Sequence, residues 1–188
     1  MKIKGLLILI LFFLLLNGCE KKYIPKPKGY FRIDLPEHKY NVFDTIFKYK
    51  FEYSQLAHYE VYNKDSAWIN IFYPTFKARI HFTYKNLKKE SLDKIIDDSH
   101  NLVYKHTLKA DAIDEELLID TLNRVYGILY TLEGNAASNI QFYITDSTEN
   151  FFRGALYFDV KPNYDSLKPV IVYLKEDIKH LIKSMRWK

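Results

Sequence analysis

The chain has 188 residues, 48% hydrophobic, 27% charged and 16% aromatic, with a formal charge of +5. That length suits one domain, and the apolar content excludes an intrinsically disordered chain, which lacks the side chains needed to offset chain entropy. Only 6 Gly, 6 Pro and 1 Cys are present, which excludes collagen-like filaments and an intrachain disulfide framework. No internal repeat appears, so solenoids and propellers are not expected.

The first segment reads as an export signal. Lys2 and Lys4 precede an apolar run from Leu6 to Leu16. The run is too short to span a bilayer, which takes about 20 apolar residues, and its layout is that of a cleavable secretory signal. It ends Leu16-Asn17-Gly18-Cys19, which resembles a lipobox: a signal peptidase cuts before the cysteine, and Cys19 carries lipid. Removing 18 of the 188 residues leaves 170, and losing Lys2 and Lys4 takes the 28 basic residues to 26 against 23 acidic ones. A balance of +3 is no nucleic-acid signature. Two or more acyl chains hold a protein stably at a membrane. Lipidation also removes the only thiol. Cys19-Glu20-Lys21-Lys22 carries no acidic run directly after the cysteine.

Residues 19–29 then form a short extended tether, stiffened by Pro25 and Pro27, and residues 30–188 form the domain. Within it, Phe47, Tyr49, Phe51 and Tyr53 alternate with Lys48, Lys50 and Glu52, the period of a strand with one buried face. Further strands are expected at 57–62, 67–73 and 77–84, joined as an antiparallel meander. Leu92, Ile95, Ile96, Ser99, Val103 and His106 then recur at helical spacing, which predicts a helix over 91–107 with Ser91 as its cap. Strands resume near 117–120, 124–132, 139–145 and 151–158. A second helix follows Asn163, Asp165 and Ser166, with Pro169 in its first turn. It buries Ile171, Leu174, Ile178, Leu181, Ile182 and Met185. The expected fold is α+β: a single domain, mostly antiparallel β-sheet, with two main helices packed on one face.

Chemical motifs are few. The six His residues include no pair at four-residue helical spacing and no HExxH, so no metal site is expected. His100 and His106 diverge by about 240° around a helix, and His106 on the apolar stripe suits a hydrogen-bonded residue at the core edge better than a ligand. There is no GxSxG and no free thiol for a nucleophile. Ser147 lies in Thr145-Asp146-Ser147-Thr148, a pattern that suits a turn held by side-chain bonds to backbone. No phosphate loop is present, and no cofactor and no catalytic residue is assigned. Arg153 interrupts the apolar strand Phe152-Arg153-Gly154-Ala155-Leu156. It can pair with Asp146 or Glu149, or face a partner carboxylate, for which an Arg fork is well shaped.

The last third of the chain then resembles a known family. Asn135-Ala136-Ala137-Ser138, the stretch QFYITDSTENFFRGALYF from Gln141 to Phe158, and Lys161-Pro162-Asn163-Tyr164-Asp165-Ser166 are similar to the gliding-motility lipoprotein GldD family of the Bacteroidetes. So are PKPKGYFRIDLPEHKY from Pro25 to Tyr40, Tyr104-Lys105-His106-Thr107 with Lys109-Ala110-Asp111, Glu133-Gly134-Asn135, and Met185-Arg186-Trp187. The resemblance covers nearly all of the mature chain. It departs at Glu149-Asn150, where a basic residue and a His are expected.

The resemblance implies a role in gliding and in the type IX secretion machinery that gliding shares. The partners it implies are other gliding or secretion proteins of the envelope, with no nucleic acid; exported lipoproteins of that phylum often carry acidic residues after the cysteine, so their absence after Cys19 implies the periplasmic face of the outer membrane. It carries over no catalytic residue. Matching family stretches mark Asp146, Ser147, Arg153, Asn163, Asp165 and His106 as candidate interaction residues. The leading expectation is a lipid-anchored accessory domain acting by protein–protein interaction. The rivals are a periplasmic hydrolase using Asp146, Glu149 or His106, supported by a cleft with an Asp and a His within about 3 Å, one with a shifted pKa, and a carbohydrate-binding module, supported by a flat row of exposed Tyr.

Overall fold

The structure, a computed structural model, describes residues 33–88, 90–105 and 109–188. The signal segment 1–18, the lipidation residue Cys19, the tether 19–29 and His106 lie outside the described residues. Residues Ile33–Lys188 form one compact unit.

Ten strands and two α-helices follow one another through it. In chain order they are β1 (Tyr40–Asp44), β2 (Tyr49–Ser54), β3 (His58–Asn63), β4 (Trp68–Tyr73), β5 (Ala78–Asn86), α1 (Leu92–Tyr104), β6 (Ala110–Asp120), β7 (Val125–Gly134), β8 (Ile140–Thr145), β9 (Asn150–Phe158), α2 (Tyr164–Ser184) and β10 (Arg186–Trp187). A 3₁₀ turn at Pro74–Phe76 joins β4 to β5. The strands make a seven-stranded sheet, β3-β4-β5-β9-β8-β7-β6, and a three-stranded sheet, β1-β2-β10. Every strand pairing is antiparallel. The α+β expectation and its antiparallel sheet are therefore observed.

The helices, however, take opposite faces of the large sheet rather than one. On β8, Ile140, Phe142 and Ile144 join the core built with α2, while Tyr143 joins the cluster that holds Ile95 and Val103 of α1. On β9 the alternation repeats, with Phe152 and Leu156 on the α2 side and Phe151 on the α1 side. The physical reason lies in the central strands. All six residues of β8 are buried, so both faces of the sheet centre exclude water, and one layer of helices covers only one. The α2 face is shared with the small sheet, whose Tyr49 and Phe51 rings meet Phe152 at centroid distances of 4.8 and 6.1 Å. Aromatic contact of this kind adds to plain area burial.

Two elements have no counterpart in the periodicity. β1 shows only one buried side chain, Phe43, in five residues, and β10 is two residues long. β6 runs from Ala110 and so begins seven residues before the expected start at 117, through a stretch of Asp and Glu. The caps are weaker than expected: Ser91 and Asn163 occupy the N-cap positions of α1 and α2 without a side-chain cap bond. Pro169 falls in the second turn of α2. Among the described residues no helix is long and apolar enough to cross a membrane.

Candidate functional site

The marked residues fall into three places. Asp146 and Ser147 form the β8–β9 turn. The Asp146 Oδ1 accepts backbone N–H bonds from Thr148 (2.9 Å), Glu149 (2.8 Å) and Asn150 (2.9 Å), and Oδ2 accepts from Asn150 Nδ2 (2.7 Å). Burial alone would push the pKa of this carboxyl up, but the donors that converge on it outweigh burial and hold it below its ordinary value. Ser147 is exposed in the left-handed region (φ 65°), and its N–H reaches Thr145 Oγ1 (2.9 Å). Asn150 also accepts from the Tyr84 hydroxyl (2.6 Å), so this departure from the family pattern is a structural member of the turn. Asn163 and Asp165 stand exposed at the start of α2, where the Asn163 carbonyl accepts from Leu167 N (3.0 Å).

Arg153 lies elsewhere, on the α1 face of the sheet. Its cross-strand partners are Thr83 on β5 and Tyr143 on β8. Because β9 is buried on both faces around it, the guanidinium is partly desolvated, and burial pulls it below its ordinary value. Its hydrogen bond goes to an uncharged group, Gln141 Oε1, at 2.6 Å. Among the described residues no carboxylate lies within salt-bridge reach of it. Gln141 is 1% exposed, and its side-chain amide nitrogen has no hydrogen-bond partner.

A groove of about 370 Å³ runs between α1 and the sheet at this point. Trp68, Phe151 and Leu102 give it apolar walls, and Arg153, Lys85 and Lys105 give it charge. Among the described residues Asp98 of α1 is its one acidic lining residue, and Lys85 is bonded to Glu90 (2.8 Å). Such a site offers a fork of N–H donors and an aromatic wall to a carboxylate carried on an apolar segment.

A second polar cluster was not found from the sequence. His38 Nδ1 contacts Asp177 Oδ1 at 2.7 Å, and the Asp177 side chain is 1% exposed. The His38 ring stacks on Tyr173 (4.2 Å), and the Tyr40 ring stacks on His180 (3.5 Å), which reaches Glu52 at 2.6 Å. Burial, followed by the Asp177 charge, pushes the Tyr40 hydroxyl up to about 12, and the same causes raise Tyr73 well above its ordinary value. Asp177 Oδ2 and the Tyr173 hydroxyl are buried without a hydrogen bond of normal geometry. Asp177 falls on the apolar stripe of α2 beside Leu174, and a carboxylate there was a legible signal. Its partner, 139 residues earlier, was not.

The His–Asp pair ties the segment entering β1 to α2. Among the described residues no Ser or Thr side chain bonds His38. Nor do the most exposed tyrosines form a row: Tyr59 and Tyr62 stand on β3, and Tyr104 ends α1.

A single α+β domain behind a Leu-Asn-Gly-Cys leader, with a cationic groove on one face of its sheet, has the make-up of an envelope lipoprotein. The family model described as gliding motility lipoprotein GldD matches residues 20–187, nearly the whole of this chain, and the chain belongs to that family. Membership gives it a lipid anchor at a membrane of the envelope and a role in gliding motility. No curated protein matches it.

Proposed function

We propose that this chain is a lipid-anchored accessory protein that serves gliding motility and the associated type IX secretion machinery by binding other envelope proteins. In this reading residues 1–18 direct export, Cys19 carries the lipid, and residues 19–29 hold the domain off the periplasmic face of the outer membrane. Arg153 carries the interaction claim. A desolvated cation with only an amide for a partner lowers stability, and buried charges are ordinarily paired. A carboxylate from a partner, entering the groove between Trp68 and Lys105, would complete its coordination.

The test separates binding from folding. Arg153→Met removes the charge and keeps much of the volume, so relief of desolvation offsets the lost bond to Gln141. Its stability to urea should stay within about 1 kcal/mol of the parent chain. In cells lacking the parent gene it should fail to restore colony spreading, and Arg153→Lys should restore it in part, because a Lys supplies charge without the fork. Normal spreading by a folded Arg153→Met chain would remove the groove from the mechanism.

One observation favours a second reading, hydrolysis in the periplasm. Asp177 fixes the His38 ring from one side, an arrangement that can orient a general base toward water. Activity on glycan or peptide ester substrates, lost in His38→Gln, would support that reading.

A further inference from the structure

The last strand of the large sheet is β6, and its outer edge pairs with no other strand among the described residues. Edge strands present unsatisfied N–H and C=O groups at every second residue, and natural proteins shorten, twist or cover them. The opposite edge does so: β3 has six residues and an irregular register between Val61 and Asn63. β6 has eleven residues and pairs regularly with β7 from Ala112 to Asp120.

Its two faces differ in chemistry. Toward α1 stand Ile113, Glu115, Leu117 and Ile119. Leu117 and Ile119 are 68% and 65% exposed, and they pair with Ile128 and Tyr126 of β7. The apolar plate so formed is half-buried at Ile128 and Tyr126 and exposed at Leu117 and Ile119, beyond Glu115, which accepts from the hydroxyl of Tyr104 at the end of α1 (2.8 Å). Toward α2 stand Asp114, Glu116, Leu118 and Asp120, with Leu118 half-buried against the core. Lys179 neutralises only Glu116 (2.8 Å), and Asp120 is tied to Asn123. Over its whole length β6 carries five carboxylates, Asp111, Asp114, Glu115, Glu116 and Asp120, and no basic residue.

We propose that β6 takes up an extended segment of another envelope protein as an eighth strand, and that this segment alternates apolar and basic residues. Strand addition satisfies the edge backbone groups, while side chains at alternate positions set specificity. Apolar residues of the incoming strand extend the plate of Leu117 and Ile119. Its basic residues fall beside Asp114, Glu116 and Asp120 on the other face, where opposite charges on neighbouring strands attract. A second copy of this chain is the wrong occupant, since it would set five carboxylates against five. This surface is separate from the Arg153 groove and holds whether or not that groove binds.

The probe is a capped peptide of alternating lysine and valine, added to the full chain purified in mild detergent. Binding is followed by fluorescence anisotropy, and backbone protection by hydrogen exchange. Saturable binding with slowed exchange confined to β6 is expected, and the same peptide with glutamate for lysine should not bind. Leu117→Lys with Ile119→Lys should weaken binding about tenfold or more, and Asp114→Lys should weaken it by a smaller factor. These side chains are exposed, so the fold should survive, which the unchanged exchange of β8 would confirm. No binding, equal binding of both peptides, or a β6-edge dimer of the chain alone would overturn the proposal.

Discussion

At the scale of single residues, the clearest division is between polar groups already bonded within the fold and those that are not. Asp146 belongs to the first kind. Four donors converge on it, and hydrogen bonds to a charged acceptor are the stronger class. Asp146→Asn should therefore cost about 1–3 kcal/mol in urea unfolding at neutral pH. The sign of the pH dependence follows from the lowered carboxyl. Its stabilisation is present above the unfolded-state value of about 3.9 and is lost as pH falls through the lower folded-state value. The gap between parent and variant should then close in acid, and a gap that widened there would contradict the bonding described. Arg153 and Gln141 are of the second kind: a charge with a neutral partner, and a buried amide nitrogen with none. That contrast makes Arg153, rather than the turn, the residue on which the interaction reading rests.

At the scale of elements, sheet geometry is set by close approach at two glycines. A Cβ on Gly127 of β7 would run into the Tyr143 carbonyl of β8, which is backbone. A Cβ on Gly154 of β9 would meet the rings of Phe142 and Phe82, and side chains give way more readily than backbone. Overpacking typically costs about 1–3 kcal/mol, so Gly154→Ala should fall in that range. Gly127→Ala should exceed it and broaden the amide signals of β7 and β8. If the two lose equal stability, the pairing of β7 with β8 is looser than described.

The same scale shows what the chain made legible. Alternation at 47–53 and 77–84, and the helical stripe of 171–185, follow directly from which side chains meet the core. β1 and β10 were hidden because each is short and gains its order from β2. The start of β6 was hidden because Asp111, Asp114, Glu115 and Glu116 fall on both faces of the strand and break its apolar alternation. The placement of the helices on opposite faces could be read only by recognising that β8, Ile-Gln-Phe-Tyr-Ile-Thr, must be buried on both sides. Of the candidate site, Arg153 stood out as a charge in an apolar strand, while the groove around it depends on where α1 lands. The His38–Asp177 tie depends on a contact across most of the chain.

At the scale of the whole molecule, the compact unit from Ile33 to Lys188 and the family membership describe a folded domain carried at a membrane by its lipid. Its core is internal to that unit, built between two sheets and α2, so anchoring and folding should be separable. Cys19→Ala should leave the urea transition unchanged and release the protein from the membrane fraction after a salt wash. Retention of that variant would mean that some other surface holds the domain to the envelope.

The central claim is that the anchored domain works by holding a partner at the Arg153 groove. The most direct measurement is a pull-down of tagged chain from gently solubilised membranes, parent beside Arg153→Met, with the co-purifying proteins identified. The account predicts gliding or secretion components in fixed ratio with the parent and their loss from the variant. A parent chain that emerges alone, or a variant that brings down the same partners, would contradict it.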